Sequence, residues 1–303
     1  MIKSKQFQSI LFLMLKLGVF GVLLFYLYHR LSSLPNGFEF SAPIRYDFLT
    51  FLIILMPINF FIEWQKWNVI LENQTVDVRQ KFHSFLSGIV SAVITPAYAG
   101  NFIGRMLYFP KSSRKSIIIN TLASNGSQFI ISIVMGIIAF QLIYSGSISL
   151  FYHILLFLAN ASLIILYFIG DNFIQRLPFQ FLKGIGDAVV SKKLRFSLLA
   201  LSMLRYIVFV WQFVLALMVF DVSFSAPLIL WVMLMFGAIT LSPSLFMGKL
   251  IVRETVAITI LSLVGIPIPA ILLAAFTTWL LNQILPALLA TMLLKKNNPH
   301  AWV

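Results

Sequence analysis

Long apolar stretches separated by short polar connections make up most of the chain. Several reach the roughly 20 residues that an α-helix needs to cross the hydrocarbon core of a bilayer. The predicted segments are Ile10–Tyr28, Phe48–Leu71, Phe82–Phe109, Ser116–Ile143, Leu150–Ile169, Phe196–Phe220, Leu228–Val264 and Ile268–Leu294. The longest polar connection, residues 170–195, is too short for an independent core. We therefore expect residues 1–303 to form a single transmembrane domain.

Composition narrows the class to polytopic, all-α membrane proteins. Hydrophobic residues make up 60% of the 303 residues and charged residues 10%, and the mean hydropathy is +0.96. A soluble domain averages about 45–50% apolar and about 25% charged residues. The chain has no cysteine, which excludes disulfides, thiolate metal sites and cysteine nucleophiles. The histidines lack metal-ligand spacing, so we expect no metal and no cofactor.

The net charge of +13 lies mainly in the connections, which is typical of cytoplasmic loops rather than of nucleic-acid binding. Basic residues occur within 79–81, 111–115 and 176–195. The connections without basic residues are 144–149, 221–227 and 265–267. This distribution requires Phe82–Phe109 to enter from the cytoplasm and return there, and Leu228–Val264 to enter from outside and return outside.

We therefore predict six full spans, two re-entrant helical hairpins and both termini in the cytoplasm. The first span, Ile10–Tyr28, is expected to be retained, because no small-residue cleavage site follows it. The expected location is the inner membrane of a bacterial cell.

Two polar interruptions of the apolar pattern match each other. At an offset of 147 residues, Trp64–Gln65 recurs as Trp211–Gln212, and Thr95–Pro96 as Ser242–Pro243. At an offset of 148 residues, Gly100 matches Gly248 and Arg105 matches Arg253. Gln128 and Gln283 lie in the helices that follow the two interruptions. Because the charge distribution orients the halves oppositely, we interpret residues 48–143 and 196–294 as an inverted repeat. Chance recurrence of common residues is the alternative.

Interrupted segments at matching positions of an inverted repeat indicate the substrate site of a transporter. Irregular backbone is tolerated at membrane depth only where protein encloses it, because unpaired backbone groups are costly in lipid. Pro96 and Pro243 are expected to break their helices, and Gly100, Gly104 and Gly248 to permit a turn or a close approach.

At these hairpins the chain resembles the flippase-like membrane family that includes the transmembrane region of lysylphosphatidylglycerol synthases. That family carries a Pro–Gly–Glu–Arg pattern in its first hairpin and a Pro–Gly-rich–Arg–Glu pattern in its second. The matching residues are Pro96, Gly100, Asn101 and Arg105, then Pro243, Gly248, Arg253 and Glu254. Asn101 stands where the family has an acid, and Lys249 and Ile251 replace small residues. The resemblance implies movement of a lipid or lipid-linked headgroup between leaflets, and not lipid aminoacylation.

A charged side chain at membrane depth costs about 2.5–3.5 kcal/mol, so each one needs a reason. We expect Arg105 either to clamp a phosphate or to anchor the chain at the cytoplasmic surface. Lys249 and Arg253 lie one turn apart on one predicted face, which favours an anionic headgroup. A structural ion pair is the alternative for Arg253 and Glu254.

Four other positions are weighed in the same way. Arg205 and Gln212, seven residues apart, are expected to line the cavity, although Arg205 also fits an ordinary basic residue of its span. Glu63 and Lys66 are expected to form a simple pair within one helix at its cytoplasmic end.

The sequence thus predicts a flippase-type transporter, without catalytic residues, that moves a phospholipid or polyprenyl-linked lipid by alternating access. The expected partners are membrane lipids with an anionic headgroup or a lipid-linked carrier, and no nucleic acid. No Walker A motif is present, so we expect no nucleotide hydrolysis by this chain. Two alternatives stay open: an integral-membrane enzyme acting on lipid phosphates, and a non-transporting partner of a lipid or glycan synthesis complex.

Overall fold

The structure, a computed structural model, describes residues 25, 28, 29, 32, 43–72, 74, 76–95, 100–176, 190–242 and 248–297. These residues form an all-α fold without β-strands. The helices are α1 (Tyr46–Ile70), α2 (Val78–Ile94), α3 (Gly100–Met106), α4 (Lys111–Ile143), α5 (Leu150–Arg176), α6 (Lys192–Val219), α7 (Ala226–Leu241), α8 (Gly248–Leu261), α9 (Ile268–Trp279) and α10 (Leu285–Asn297). A 3₁₀ turn, Ser262–Val264, follows α8, and a π-helical turn, Leu280–Ile284, joins α9 to α10.

Within the described residues, five helical stretches are long and apolar enough to cross a membrane. They are Tyr46–Ile70, Lys111–Ile143, Leu150–Ile169, Lys192–Val219 and Ile268–Leu294. Each corresponds to one predicted full span. The remaining predicted span, Ile10–Tyr28, lies outside the described residues except for Phe25 and Tyr28. The prediction of an all-α, multi-pass membrane protein is confirmed.

The two predicted hairpin segments each consist of two short helices. Helices α2 and α3 contain 17 and 7 residues, and helices α7 and α8 contain 16 and 14. At about 1.5 Å per residue, the longest of them measures about 25 Å. The hydrocarbon core is about 30 Å thick, so each short helix falls below the length of a full crossing. The connections 96–99 and 243–247, with Pro96 and Pro243, lie outside the described residues.

The order of long helix, two short helices and long helix occurs twice, in α1–α4 and in α6–α10. Helices α1 and α6 pack along each other in antiparallel directions, because the Arg45 amide donates to the Val219 carbonyl at one end and Arg205 contacts Glu63 further along. The helix after each short pair also packs against the first short helix of the other pair: α4 contacts α7, and α10 contacts α2. The contact pattern is therefore similar in the two halves.

The π-helical turn between α9 and α10 has a local cause in the sequence. Pro286 has no amide hydrogen, and its ring clashes with the carbonyl four residues earlier, that of Asn282. The helix widens at Leu280–Ile284, N-terminal to this proline. Such turns change the direction of side chains and often occur at functional sites. Here the turn directs the Asn282 side chain towards α1.

The closest backbone approach described for any glycine pair joins the two halves at α4 and α7. A Cβ atom built on Gly136 would lie 2.7 Å from the Gly237 Cα, and one built on Gly237 would lie 2.8 Å from the Gly136 Cα. Small residues permit such close contacts between membrane helices. Both glycines are therefore required by packing.

We expect Gly136→Ala to destabilise the protein by about 1–3 kcal/mol, because the added methyl group forces two backbones apart. Gly126→Ala is the matched control on the same helix, since its nearest neighbour is a Tyr167 ring carbon at 3.9 Å. Thermal unfolding of both variants in detergent checks this expectation. Equal midpoints for the two variants would contradict the packing argument.

Candidate functional site

A cavity of about 530 Å³ lies where both short-helix pairs meet α1, α4, α6 and the π-helical turn. Its lining combines charged and amide side chains with aromatic and aliphatic ones. The lining residues are Phe60, Glu63, Lys66, Gly88, Ile89, Ala92, Val93, Asn101, Arg105, Asn125, Gln128, Phe129, Ser132, Arg205, Phe209, Ile239, Thr240, Ser242, Asn282 and Gln283. We call this space the central cavity.

Position along the helices places the central cavity deep in the bundle. Arg205 is about 20 Å from either end of α6 at 1.5 Å per residue, and Asn282 is about equally distant from the two ends of the α9–α10 span. Val93, near the end of the first short helix α2, and Ser242, which directly follows α7, also border it. Arg205 and Asn282 therefore lie near the middle of their helices, whereas Lys66 lies about 6 Å from the C-terminal end of α1.

Glu63 of α1 is the centre of the polar network. Its Oε1 accepts a hydrogen bond from Arg105 Nη2 of α3 at 2.9 Å, and its Oε2 accepts one from Arg205 Nη1 of α6, also at 2.9 Å. Lys66, one turn further along α1, donates to the Ser124 carbonyl of α4 at 3.2 Å. One carboxylate therefore links two guanidiniums from different helices, and a third cation lies beside it.

The amide side chains extend this network. Arg205 Nε donates to Asn59 Oδ1 at 2.8 Å, and Asn59 Nδ2 donates to Asn282 Oδ1 at 2.6 Å. Asn282 Nδ2 in turn donates to the Thr278 carbonyl of α9 at 3.0 Å. The chain of hydrogen bonds connects α6, α1 and the π-helical turn, so the position of Arg205 is fixed from both halves.

Aromatic rings hold the guanidiniums in place. The Arg105 guanidinium carbon lies 4.7 Å from the Trp67 ring centroid and 5.6 Å from that of Phe85. Trp67 Nε1 donates to Ser84 Oγ at 3.1 Å, which orients its ring. The Arg205 guanidinium carbon lies 5.0 Å from the Phe209 ring centroid. Ring faces attract cations and limit their movement without neutralising them.

Glycines of the first short-helix pair provide the room for Arg105. A Cβ on Gly88 would lie 2.6 Å from Arg105 Cγ, and one on Gly104 would lie 2.6 Å from the Ser87 carbonyl oxygen. A Cβ on Gly100 would lie 2.0 Å from the Ser91 carbonyl oxygen. Helices α2 and α3 are thus in close backbone contact, and the Arg105 side chain lies between them and α1, where it pairs with Glu63.

The structure brings together three of the seven side chains that the sequence proposed for substrate binding. Arg105, Arg205 and Asn101 line the central cavity. Arg105 is 2% exposed and paired with Glu63, so the alternative of a surface anchor is wrong. Gln128 and Gln283, the matched glutamines after each hairpin, also line this cavity.

Gln212 does not lie where the sequence placed it. Seven residues bring it to the same face of α6 as Arg205, but about 10 Å further along the helix. There α6 packs into the main apolar core, and Gln212 is 0% exposed. The expectation that it lines the cavity is wrong, because angular position alone does not fix depth.

The predicted residues of the second hairpin lie elsewhere. Arg253 of α8 donates to the Ala275 carbonyl of α9 and does not line the central cavity, and neither does the half-buried Glu254. Gly248 is the first residue of α8, and the side chain of Lys249 lies outside the described residues. Arg105 and Arg253 match in sequence but do not share a site.

Sequence reasoning underestimated Glu63 and Lys66. We expected a simple pair within one helix, but Glu63 pairs with arginines of two other helices and Lys66 donates to α4. The available signal was the location of two charges within a long apolar span. Such residues usually face the interior of a bundle.

Comparison of the chain with protein-family models, with curated proteins and with solved structures finds no match. In the part of the chain that the structure describes, no group of three or more His, Asp or Glu is placed to hold a metal ion. The chain is a multi-pass α-helical membrane protein with a polar cavity at the centre of its bundle.

We expect Glu63→Gln to destabilise the protein by about 3 kcal/mol, because it leaves the buried Arg105 and the partly buried Arg205 without their carboxylate. Glu72→Gln is the matched control, since Glu72 pairs with Lys193 at 3.5 Å on the surface, and exposed pairs contribute about 0–1 kcal/mol. Denaturation in mixed micelles measures both. Similar losses in the two variants would show that the Glu63 network is not a structural centre.

Proposed function

We propose that this protein is a flippase-type transporter of the bacterial inner membrane, which moves a lipid with an anionic headgroup between leaflets. The observation that carries this proposal is the central cavity, where Lys66, Arg105 and Arg205 outnumber the one carboxylate among the described lining residues, that of Glu63. Guanidiniums match phosphate oxygens in a bidentate geometry. The headgroup would enter the cavity while the acyl or prenyl tails remain in the lipid.

The depth of the cavity supports transport rather than surface binding. Substrate sites of secondary transporters lie near the middle of the bilayer, where short or broken helices meet. Arg205 and Asn282, near the middle of their helices, line the central cavity, and Asn101 and Ser242, close to the two connections, border it.

The two-fold organisation of the helices supports an alternating-access mechanism. In our proposal, α1–α4 and α6–α10 are the two halves of an inverted repeat, and each short-helix pair is a re-entrant hairpin. The antiparallel packing of α1 with α6 and the exchanged contacts of α4 with α7 and α10 with α2 support this. Halves of opposite orientation and similar energy can exchange between inward-open and outward-open forms.

Reconstitution tests the function directly. We expect the protein in proteoliposomes to move fluorescent anionic phospholipids, measured by their accessibility to a membrane-impermeant reductant. Arg105→Gln and Arg205→Gln are each expected to slow this movement by at least about tenfold, because a lost charge-assisted hydrogen bond costs about 1.5–3 kcal/mol. Lipid extracts analysed after the assay reveal any chemical change, which would instead favour a membrane enzyme.

Two further variants complete this experiment. Arg45→Gln is the matched control, because Arg45 forms an exposed pair with Asp47 at 3.1 Å and lies outside the cavity. Arg253→Gln tests the second hairpin, where sequence matching placed a phosphate site. Loss of movement only in Arg253→Gln would contradict the assignment to the central cavity, and full activity of both cavity variants would contradict it equally.

The topology has its own test, which uses the absence of native cysteine. We expect Arg79→Cys and Ser112→Cys to react with an impermeant thiol reagent from the cytoplasmic side, and Ser145→Cys from the other side. All three positions are exposed. The first short-helix pair connects residues 79 and 112, so labelling of these two positions from opposite sides would exclude a re-entrant hairpin.

A further inference from the structure

The charges of the central cavity do not balance. Among its described lining residues, three side chains are cations and Glu63 is the single anion, which leaves an excess of two positive charges. The neighbouring connections, residues 96–99 and 243–247, contain no charged residue. Lys249, which follows the second connection, is itself a cation. The sequence at both hairpin tips therefore supplies no second acid.

Helix ends do not supply the missing negative charge. Each hairpin brings the C-terminus of one short helix and the N-terminus of the next towards its tip: α2 and α3 in the first, α7 and α8 in the second. The partial charges at the two kinds of helix end are opposite and similar in size. They cancel in pairs, and the excess of two positive charges remains.

An arrangement that served only to hold the helices together would not need this excess. A buried cation without a counter-ion is costly, and a structural network is stable only when its charges are paired. Glu63 already uses both of its oxygens on Arg105 and Arg205. Lys66 has only the neutral carbonyl of Ser124 as its described hydrogen-bond partner. Within the described part of the chain, the network is therefore short of about two negative charges.

Arg105 provides a second, independent observation. Its side chain is only 2% exposed, it lines the cavity, and its Nε has no hydrogen-bond partner among the described residues. Buried donors of this kind are rarely left without an acceptor. The guanidinium thus has a donor to offer beyond the one that Glu63 uses.

We propose that the substrate headgroup is a lipid-borne phosphate monoester or diphosphate, bound with two negative charges by Lys66, Arg105 and Arg205. This inference rests on the proposed function and narrows its substrate class. A phosphate monoester carries about −1.5 to −2 at neutral pH, because its second pKa is about 6. A phosphodiester headgroup carries one negative charge and leaves one cation of the cavity uncompensated.

Binding of matched short-chain lipids in detergent at pH 6.5 tests the proposal without requiring transport. The ligands are dioctanoyl phosphatidic acid, a monoester, and dioctanoyl phosphatidylglycerol and phosphatidylcholine, both diesters. We expect phosphatidic acid to bind at least about tenfold more tightly than phosphatidylglycerol, and phosphatidylcholine to bind most weakly. Farnesyl phosphate shares the monoester but has a prenyl chain, so its affinity relative to phosphatidic acid identifies which lipid anchor fits.

A charge variant connects this preference to the cavity. We expect Lys66→Gln to weaken phosphatidic acid binding by at least about tenfold and phosphatidylglycerol binding much less, because it removes one of the two excess charges. Lys66→Arg keeps the charge and is expected to retain the preference for phosphatidic acid over phosphatidylglycerol. This variant therefore distinguishes the effect of the charge from an effect of the substitution on folding. Lys193→Gln removes an 82% exposed cation outside the cavity and serves as the matched control.

The outcomes separate this inference from the proposed function. The proposal of a dianionic headgroup is wrong if phosphatidylglycerol binds as tightly as phosphatidic acid or more tightly. It is also wrong if Lys66→Gln leaves the preference for phosphatidic acid unchanged. If phosphatidylglycerol then moves in proteoliposomes as fast as phosphatidic acid, the proposed transport function is supported and only the proposed substrate class is wrong. If no lipid binds and none moves, both the function and its substrate are wrong.

Discussion

A single carboxylate held by two guanidiniums inside an apolar bundle is the interaction on which the centre of this protein depends. Glu63 joins α1 to α3 through Arg105 and to α6 through Arg205. Charges in a low-dielectric interior interact strongly, so this contact fixes where the first short-helix pair sits relative to the long helices. The amide chain from Arg205 through Asn59 to Asn282 then extends that order to the π-helical turn.

The two halves of the fold differ in chemistry although their helices follow the same order. Adding the repeat offset of 147 to Glu63 and Lys66 gives Val210 and Phe213, which are buried in the main apolar core. The charged network is therefore concentrated around the first half, and the second half contributes Arg205, Asn282 and apolar packing. Residues of both groups of helices line the one central cavity, although most of its charges come from α1 and α3.

The same features that stabilise the network also limit how it can change. The Gly136–Gly237 contact joins α4 to α7 at backbone distance, and α2 and α3 are equally close at Gly100 and Gly104. Packed contacts of this kind favour movement of groups of helices as units, because interfaces without spare volume do not deform continuously.

The amino-acid sequence alone determined the class of the protein and most of its helices. Apolar length predicts a crossing because lipid leaves the backbone no other partner than its own helix, and five predicted spans are found in the described residues. It also indicated both interrupted segments, and it named Arg105 and Arg205 among the candidate binding residues, which the structure brings to one cavity. These features depend on composition along the chain, which a sequence contains directly.

Only the tertiary structure decided which charges meet. Glu63 and Lys66 looked like a local pair, yet both have partners that are distant in the sequence. Lys66 donates to Ser124, which is 58 positions away, and Glu63 pairs with Arg205, which is 142 positions away. Gln212 and Arg253 looked like cavity residues, but one is 0% exposed in the core and the other contacts the Ala275 carbonyl. Helical spacing gives the face on which a side chain lies. The neighbour that this face meets, and the depth at which it does so, follow from packing of the whole bundle.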